Sequence, residues 1–373
     1  MTLIIVLLIA TLLYVAEQIL YKHWWAKGLS ASIMFQKDAV TEGDTAELYE
    51  VVTNQKLLPL PILNVKFQLH RNLSFSLMEN TSVSDNCYRN DIFSLLSNQK
   101  ITRTLTLRCH KRGFYTITQM DLVATDLLMA SHLLMHTEQY TQLYVYPGQI
   151  DDRRLEVPFR KIMGVITNRQ FIYPDPFEFK GIRIYEPTDP LNSVNWKASA
   201  RTGSLMVNTY DSTSSQEVVL LLDLADETIW REEELHEESI RLASTLAARF
   251  LNAGIPVRMV CNGRDIVTKE VVQIPAGTGN QQLAEINQCL ARIDLNQDRD
   301  AFASYLEQEA GRKDMSMPLY IIISICQNKL SSPAAQLADT HPGVYWILPL
   351  HQGAEPQIAS NNKLTVLPWM TNI

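Results

Sequence analysis

The densest chemistry of the chain lies where Asp189, Asn195, Trp196, Lys197 and Arg201 fall together, with Gly181, Arg183 and Tyr185 shortly before them. Carboxylate, amide, ammonium, guanidinium and indole at this density can do one of two things. They can form an ion-pair and hydrogen-bond cluster, in which Arg183 or Arg201 meets Glu186 or Asp189 and Trp196 packs beneath to fix irregular backbone. Alternatively, Arg183, Lys197 and Arg201 present a polar surface to a partner protein, because Trp, Tyr and Arg are the usual anchors of interfaces. A short helical turn over Lys197–Arg201 would put those two cations, four apart, on one face. Thr202-Gly203 then supplies a tight turn before a strand from Leu205 to Tyr210.

Other constellations are weaker. His132 and His136 have the spacing of a helical metal pair, but no Glu stands between them as in H-E-x-x-H, and Leu133, Leu134 and Met135 flank them; a satisfied or exposed pair is expected. Gly277-Thr278-Gly279 lacks the Lys-Ser/Thr of a phosphate-binding loop. The five cysteines, Cys87, Cys109, Cys261, Cys289 and Cys326, form no C-x-x-C pair, which argues against zinc modules and a disulfide framework and fits a reducing compartment. Cys261 and Cys326 end apolar, β-branched runs, the setting of a buried thiol rather than a nucleophile. No G-x-S-x-G elbow and no thiol-hydrolase signature occurs. The expectation is a chain that is not an enzyme and needs no cofactor.

The elements that position these residues can be read from composition and periodicity. A length of 373 residues, 46% hydrophobic, 20% charged, with 14 Gly and 16 Pro, fits roughly two to three folded domains and excludes collagen-like and disordered classes. The net charge of -7 disfavours a wholly basic nucleic-acid binder. Residues 1–27 read as a transmembrane anchor: an apolar run from Leu3 to Tyr21, interrupted near its end by Glu17, then Lys22, His23, Trp24, Trp25 and Lys27. With no cleavage site after it, an uncleaved single span is expected, and the positive charges place the rest of the chain in the cytoplasm. An amphipathic or buried N-terminal helix is the alternative. Residues 35–147 carry short alternating runs at spacings of about ten residues, the pattern of an antiparallel β-sandwich. Residues 148–215 read as a connector. From 216 to 373, continuous apolar strands alternate with helices, as in a doubly wound parallel sheet with Rossmann-like α/β character.

The stretch from Phe177 to Tyr210, with Gly181-Ile-Arg183-Ile-Tyr185-Glu186, Asp189, Asn195-Trp196-Lys197-Ala-Ser-Ala-Arg201 and Gly203, closely resembles the signature of the domain of unknown function 58 family. The N-terminal membrane segment and Lys111-Arg-Gly-Phe-Tyr115 extend the likeness. It implies a C-terminal domain like von Willebrand factor type A, and a genomic association with MoxR-type AAA+ ATPases. Type A domains often hold Mg²⁺ in a D-x-S-x-S loop. Here the corresponding residues are Asp223, Ala225 and Glu227, and a methyl group cannot ligate. The strand from Tyr320 to Cys326 also lacks the Asp expected at its end. The position is degenerate, with no metal expected and a run of solvated acids from Asp226 to Glu238 as the alternative.

Together these observations lead to the expectation of a non-enzymatic, membrane-anchored scaffold or adaptor of the bacterial cell envelope, working with a MoxR-type ATPase through protein–protein interaction. A metal-dependent, adhesion-type ligand-binding module using Asp223, Asp226 and Glu227 is the alternative.

Overall fold

Alternating apolar and polar side chains dictate the first half of the chain, because a strand buries every second residue. The computed structural model describes residues 2–77, 79–172, 179–187, 189–210, 217–312, 318–358 and 363–371. They form two compact units, residues 1–148 and 149–373.

The first unit opens with helix α1 (Thr2–Trp24) and continues with ten strands: β1 (Leu29–Phe35), β2 (Ala39–Thr41), β3 (Thr45–Asn54), β4 (Leu60–His70), β5 (Leu73–Phe75), β6 (Thr81–Val83), β7 (Asn86–Leu95), β8 (Lys100–Cys109), β9 (Gly113–Thr125) and β10 (His132–Tyr146). They make two sheets, in the orders β1-β3-β8-β5 and β2-β10-β9-β4-β7-β6. All neighbours are antiparallel except β2 and β10. The inward residues of both sheets, such as Leu48 and Val52 of β3 with Phe93 and Leu95 of β7, share one core, which makes the unit a sandwich.

That core also holds charge. Arg89 grips Asp91 through Nε (2.6 Å) and Nη2 (3.0 Å), and Arg103 adds a third bond at 2.9 Å. The two guanidinium groups lie over Phe75 and Phe93, at 4.5 and 4.4 Å. Glu50 is fully buried beside this cluster, and neither of its oxygens meets hydrogen-bond geometry with a neighbour. Burial, and then the Asp91 charge, push its pKa from 4.5 to about 8.

Only one stretch of α1 touches the sandwich. Residues 2–16 are exposed on every side, whereas Tyr21 and Trp25 are buried. The Tyr21 hydroxyl donates to the Pro59 carbonyl (2.9 Å), Glu17 Oε1 accepts from the Leu127 N–H (3.0 Å), Gln18 Oε1 accepts from Ser131 Oγ (2.5 Å), and Gln18 Nε2 donates to Asp126. The helix is long and apolar enough to cross a membrane.

The second unit contains α2 (Asp152–Ile172), β11 (Phe179–Ile184), α3 (Trp196–Thr202), β12 (Met206–Tyr210), β13 (Val218–Leu222), α4 (Glu233–Asn252), β14 (Val257–Arg264), β15 (Val271–Gly277), α5 (Gly279–Arg292), α6 (Phe302–Ala310), β16 (Leu319–Ile323), α7 (Gln327–Thr340), β17 (Val344–Leu350) and β18 (Leu364–Met370). Six strands lie in the order β15-β14-β13-β16-β17-β18. All pair in parallel except the edge strand β15. Val218, Leu220 and Leu222 of β13 pack with α2, α4 and α5, and Val219 and Leu221 pack with α6 and α7. Helices therefore cover both faces, which is why the strands are apolar throughout. β11 and β12 form a separate hairpin.

One local difference from the sequence reading has a simple cause. The expected connector contains the 21-residue α2, whose Pro158 masks its helical pattern. Its Leu155, Ile162 and Ile166 are buried against the sheet. His132 and His136 lie on strand β10 rather than on a helix. There His136 meets Asp121 at 2.6 Å, and His132 meets Thr125 at 3.3 Å.

Because Glu50 binds its proton more tightly when folded, it stabilises the sandwich fully below about pH 4.5, and this contribution is lost as pH rises through about 8. Glu50→Gln should therefore raise stability at pH 9 by on the order of 2 kcal/mol and change little at pH 5. Thermal melts of the detergent-solubilised protein test this; an equal gap at both pH values would show that Glu50 does not ionise in this window.

Candidate functional site

The signature residues are placed by a hairpin and one short helix. Asn195 caps α3: its Oδ1 accepts from the Ala198 N–H at 3.0 Å, and its Nδ2 donates to Asn208 Oδ1 at 2.7 Å. Gly203 ends the helix at φ 73°, a conformation costly for any residue with a Cβ. Ser199 Oγ donates to the Asn195 carbonyl (2.8 Å) and accepts from the Met206 N–H (2.8 Å), tying α3 to β12. The Tyr185 N–H donates to the Leu205 carbonyl (2.9 Å), and Gly181 pairs with Thr209 across the hairpin beside a register shift.

Of the charged residues, Arg183 and Asp189 come together in a bidentate pair, at 2.7 and 2.5 Å. Asp189 also accepts from the Glu186 N–H at 2.9 Å. The Arg183 hydrogen bonds hold the Asp189 carboxyl below its usual range. Lys197 and Arg201 are exposed and make no such bond among the described residues. Trp196 corrects the expectation that it packs beneath the cluster: it is 67% exposed. Ile184 and Leu191, earlier in the same segment, are also exposed. The ion pair thus shapes the loop, and α3 offers an aromatic and two cations outward.

A second cluster sits at the carboxyl ends of the parallel strands, where open α/β sheets take ligands. Asp223 follows β13 and is almost completely buried. Its Oδ1 accepts from Asn262 Nδ2 (2.6 Å) and the Ala225 N–H (3.0 Å), and its Oδ2 accepts from Ser324 Oγ (2.7 Å). Burial nevertheless pushes its pKa up. Asp226 is held by the Glu232 N–H (3.0 Å), His236 Nε2 (2.7 Å) and Arg299 Nη1 (3.1 Å). Burial lowers the His236 pKa, so the neutral ring donates its Nε2 proton to Asp226. Ala225 brings no ligand, and its carbonyl accepts from Cys326 Sγ at 3.1 Å. Glu227 Oε2 is buried without a hydrogen-bond partner. Among the described residues, no group of three or more His, Cys, Asp or Glu side chains is placed to hold a metal. The donor set does not fit a hard cation, because Asn262, Ser324 and Arg299 occupy the oxygens that it would need.

Between these pinned residues, Ile229 is 92% exposed and Trp230 74% exposed. Sequence reasoning missed both, having read the segment as solvated acids. The signal was present in the form of a large apolar dipeptide inside a charged run.

Asn195→Ala should loosen α3 by about 1 kcal/mol. Amide exchange over residues 198–203 should then speed up roughly fivefold, with the parallel sheet unaffected; unchanged exchange would show that the cap does not hold the turn. Titration with Mg²⁺ or Mn²⁺ should give no saturable binding in the micromolar range, and such binding would show that the donors around Asp223 and Asp226 give way.

Several solved structures overlap about a third of the chain. The CARDB domain of a Pyrococcus furiosus protein is 15% identical, covering 32% of this chain and 88% of its own, with a TM-score of 0.21. A non-cellulosomal cohesin from the archaeon Archaeoglobus fulgidus is 10% identical, covering 31% and 91%, with a TM-score of 0.22. A human PapD-like domain is 15% identical, covering 31% and 86%, with a TM-score of 0.17. Likenesses at this level carry no argument about this chain. No curated protein matches it. The hairpin, α3 and the sheet as far as β16 do match a family model: residues 181–322 carry the pattern described as "Protein of unknown function DUF58", the family that the signature resembles.

Proposed function

We propose that the protein is a non-enzymatic interaction module, anchored in the cell membrane by α1 as a single span, that serves as a scaffold or adaptor of the bacterial cell envelope. The observation that carries this reading is the exposed Ile229-Trp230 pair at the carboxyl end of β13. Trp is a frequent interface anchor, and here it stands where a parallel sheet usually offers its ligand site. The strand order, with its antiparallel edge strand β15, fits a von Willebrand factor type A architecture. In this reading a protein partner replaces the cation, since protein donors already fill Asp223 and Asp226.

Trp196, Lys197 and Arg201 form the second contact region, on the family signature itself. An AAA+ ATPase of the MoxR type is the partner that the family resemblance suggests. Buried thiols support the non-enzymatic reading: burial raises Cys109 to about 11 and pushes Cys326 up as well, so neither offers a thiolate at neutral pH. Lys22 in the last turn of α1 and Lys27 just after it support a cytoplasmic side for both units.

Co-purification from detergent extracts with the ATPase tests the assignment. Trp230→Ala and Trp196→Ala should each weaken recovery tenfold or more, corresponding to about 1.4 kcal/mol or above, with melting unchanged. Arg201→Ala should weaken it less. Full recovery with both tryptophan variants would remove these surfaces from the interface.

A further inference from the structure

The way α1 meets the sandwich has a consequence for the loops around its base. Thr2–Ala16, the fully exposed part, covers about 22 Å of a hydrocarbon core about 30 Å thick, at about 1.5 Å per residue. Glu17 and Gln18 directly follow this stretch, and both are hydrogen-bonded to the loop 126–131. That loop is therefore held at the end of the apolar stretch, where a spanning helix meets the interface.

Its composition agrees. Leu127, Leu128 and Met129 are 55%, 55% and 64% exposed, with Met129 held at φ 57°. Two further loops share this end of the sandwich. Leu57 is 80% and Leu96 67% exposed, and Asn54 ties their loops together by donating to the Leu58 and Leu96 carbonyls. Pro59 of the first loop accepts the Tyr21 hydroxyl. The charges at this end are Lys22, Lys27, Lys56 and Lys100 against Glu17 and Asp126, and both acids are hydrogen-bonded within the sandwich end.

We infer that these three loops form a lipid-contacting collar around α1, with Leu57, Leu96 and Leu127–Met129 entering the interfacial layer of an anionic leaflet while the exposed Lys22, Lys27 and Lys100 meet its headgroups. The collar rests on the reading of α1 as a span. Apolar side chains at the acyl boundary with cations above them are the arrangement that such interfaces favour.

The test uses the full-length chain with Cys289→Ser, which leaves only buried thiols, reconstituted into vesicles of phosphatidylcholine and phosphatidylglycerol. An environment-sensitive fluorophore is placed at Leu128→Cys and, as a control, at Asp44→Cys in the turn at the opposite end of β3. Lipids carrying a nitroxide near the headgroup should quench the probe at 128 several-fold and blue-shift it, and leave the probe at 44 unchanged. If the protein resists alkaline carbonate but the two probes behave alike, α1 is an anchor and the collar is wrong. A blue shift at 128 without lipid-borne quenching would put a protein surface over the loop and also overturn it. Release by carbonate would overturn the anchor reading, and the collar with it.

Discussion

A carboxylate with no access to water must be given donors by its own fold, and Asp223 sets this condition for the second unit. The donors come from three places in sequence: the following turn at Ala225, Asn262 on β14 and Ser324 just past β16. Removing any one would leave a buried charge short of a partner, which costs more than an ordinary hydrogen bond contributes. The three central strands are thereby locked at their carboxyl ends. The loop leaving β13 starts from a fixed point, and Asp226, gripped by Arg299 and His236, gives it a second one. Exposed Ile229 and Trp230 are carried on a segment pinned at its start, so their presentation needs little ordering.

The first unit handles buried charge differently. Arg89, Arg103 and Asp91 satisfy one another inside the sandwich, with aromatic rings beneath the guanidinium groups. Glu50 is left to keep its proton. An apolar replacement of such a cluster can be equally stable, so the inward charges are a constraint on strand register more than a source of cohesion: a one-residue slip would turn Arg89 and Asp91 out of the core.

Much of this architecture was legible in the residues. The β-rich first half, the apolar strands of the second and the span-length helix follow from periodicities of two and from continuous hydrophobic runs. The turn around Asn195 and Gly203 was readable because caps have residue signatures. What stayed hidden depends on tertiary context. Pro158 disguised α2, whose stability comes from packing on the sheet rather than from its own propensity. Trp196 faces outward although an indole beside a salt bridge is usually covered. Ile229 and Trp230 were submerged in an acidic run, and only the saturation of Asp223 and Asp226 showed that the acids were already committed.

The junction between α1 and β1 has no slack. Four residues, 25–28, separate the helix from the first strand; Trp25 is buried, and the Gln55 N–H donates to the Gly28 carbonyl at 2.8 Å. In the proposed membrane arrangement the sandwich therefore cannot swivel about its anchor like a domain on a tether. It stands at a set height and tilt at the lipid surface, and the orientational freedom that a tethered sandwich would keep is given up as soon as the helix inserts.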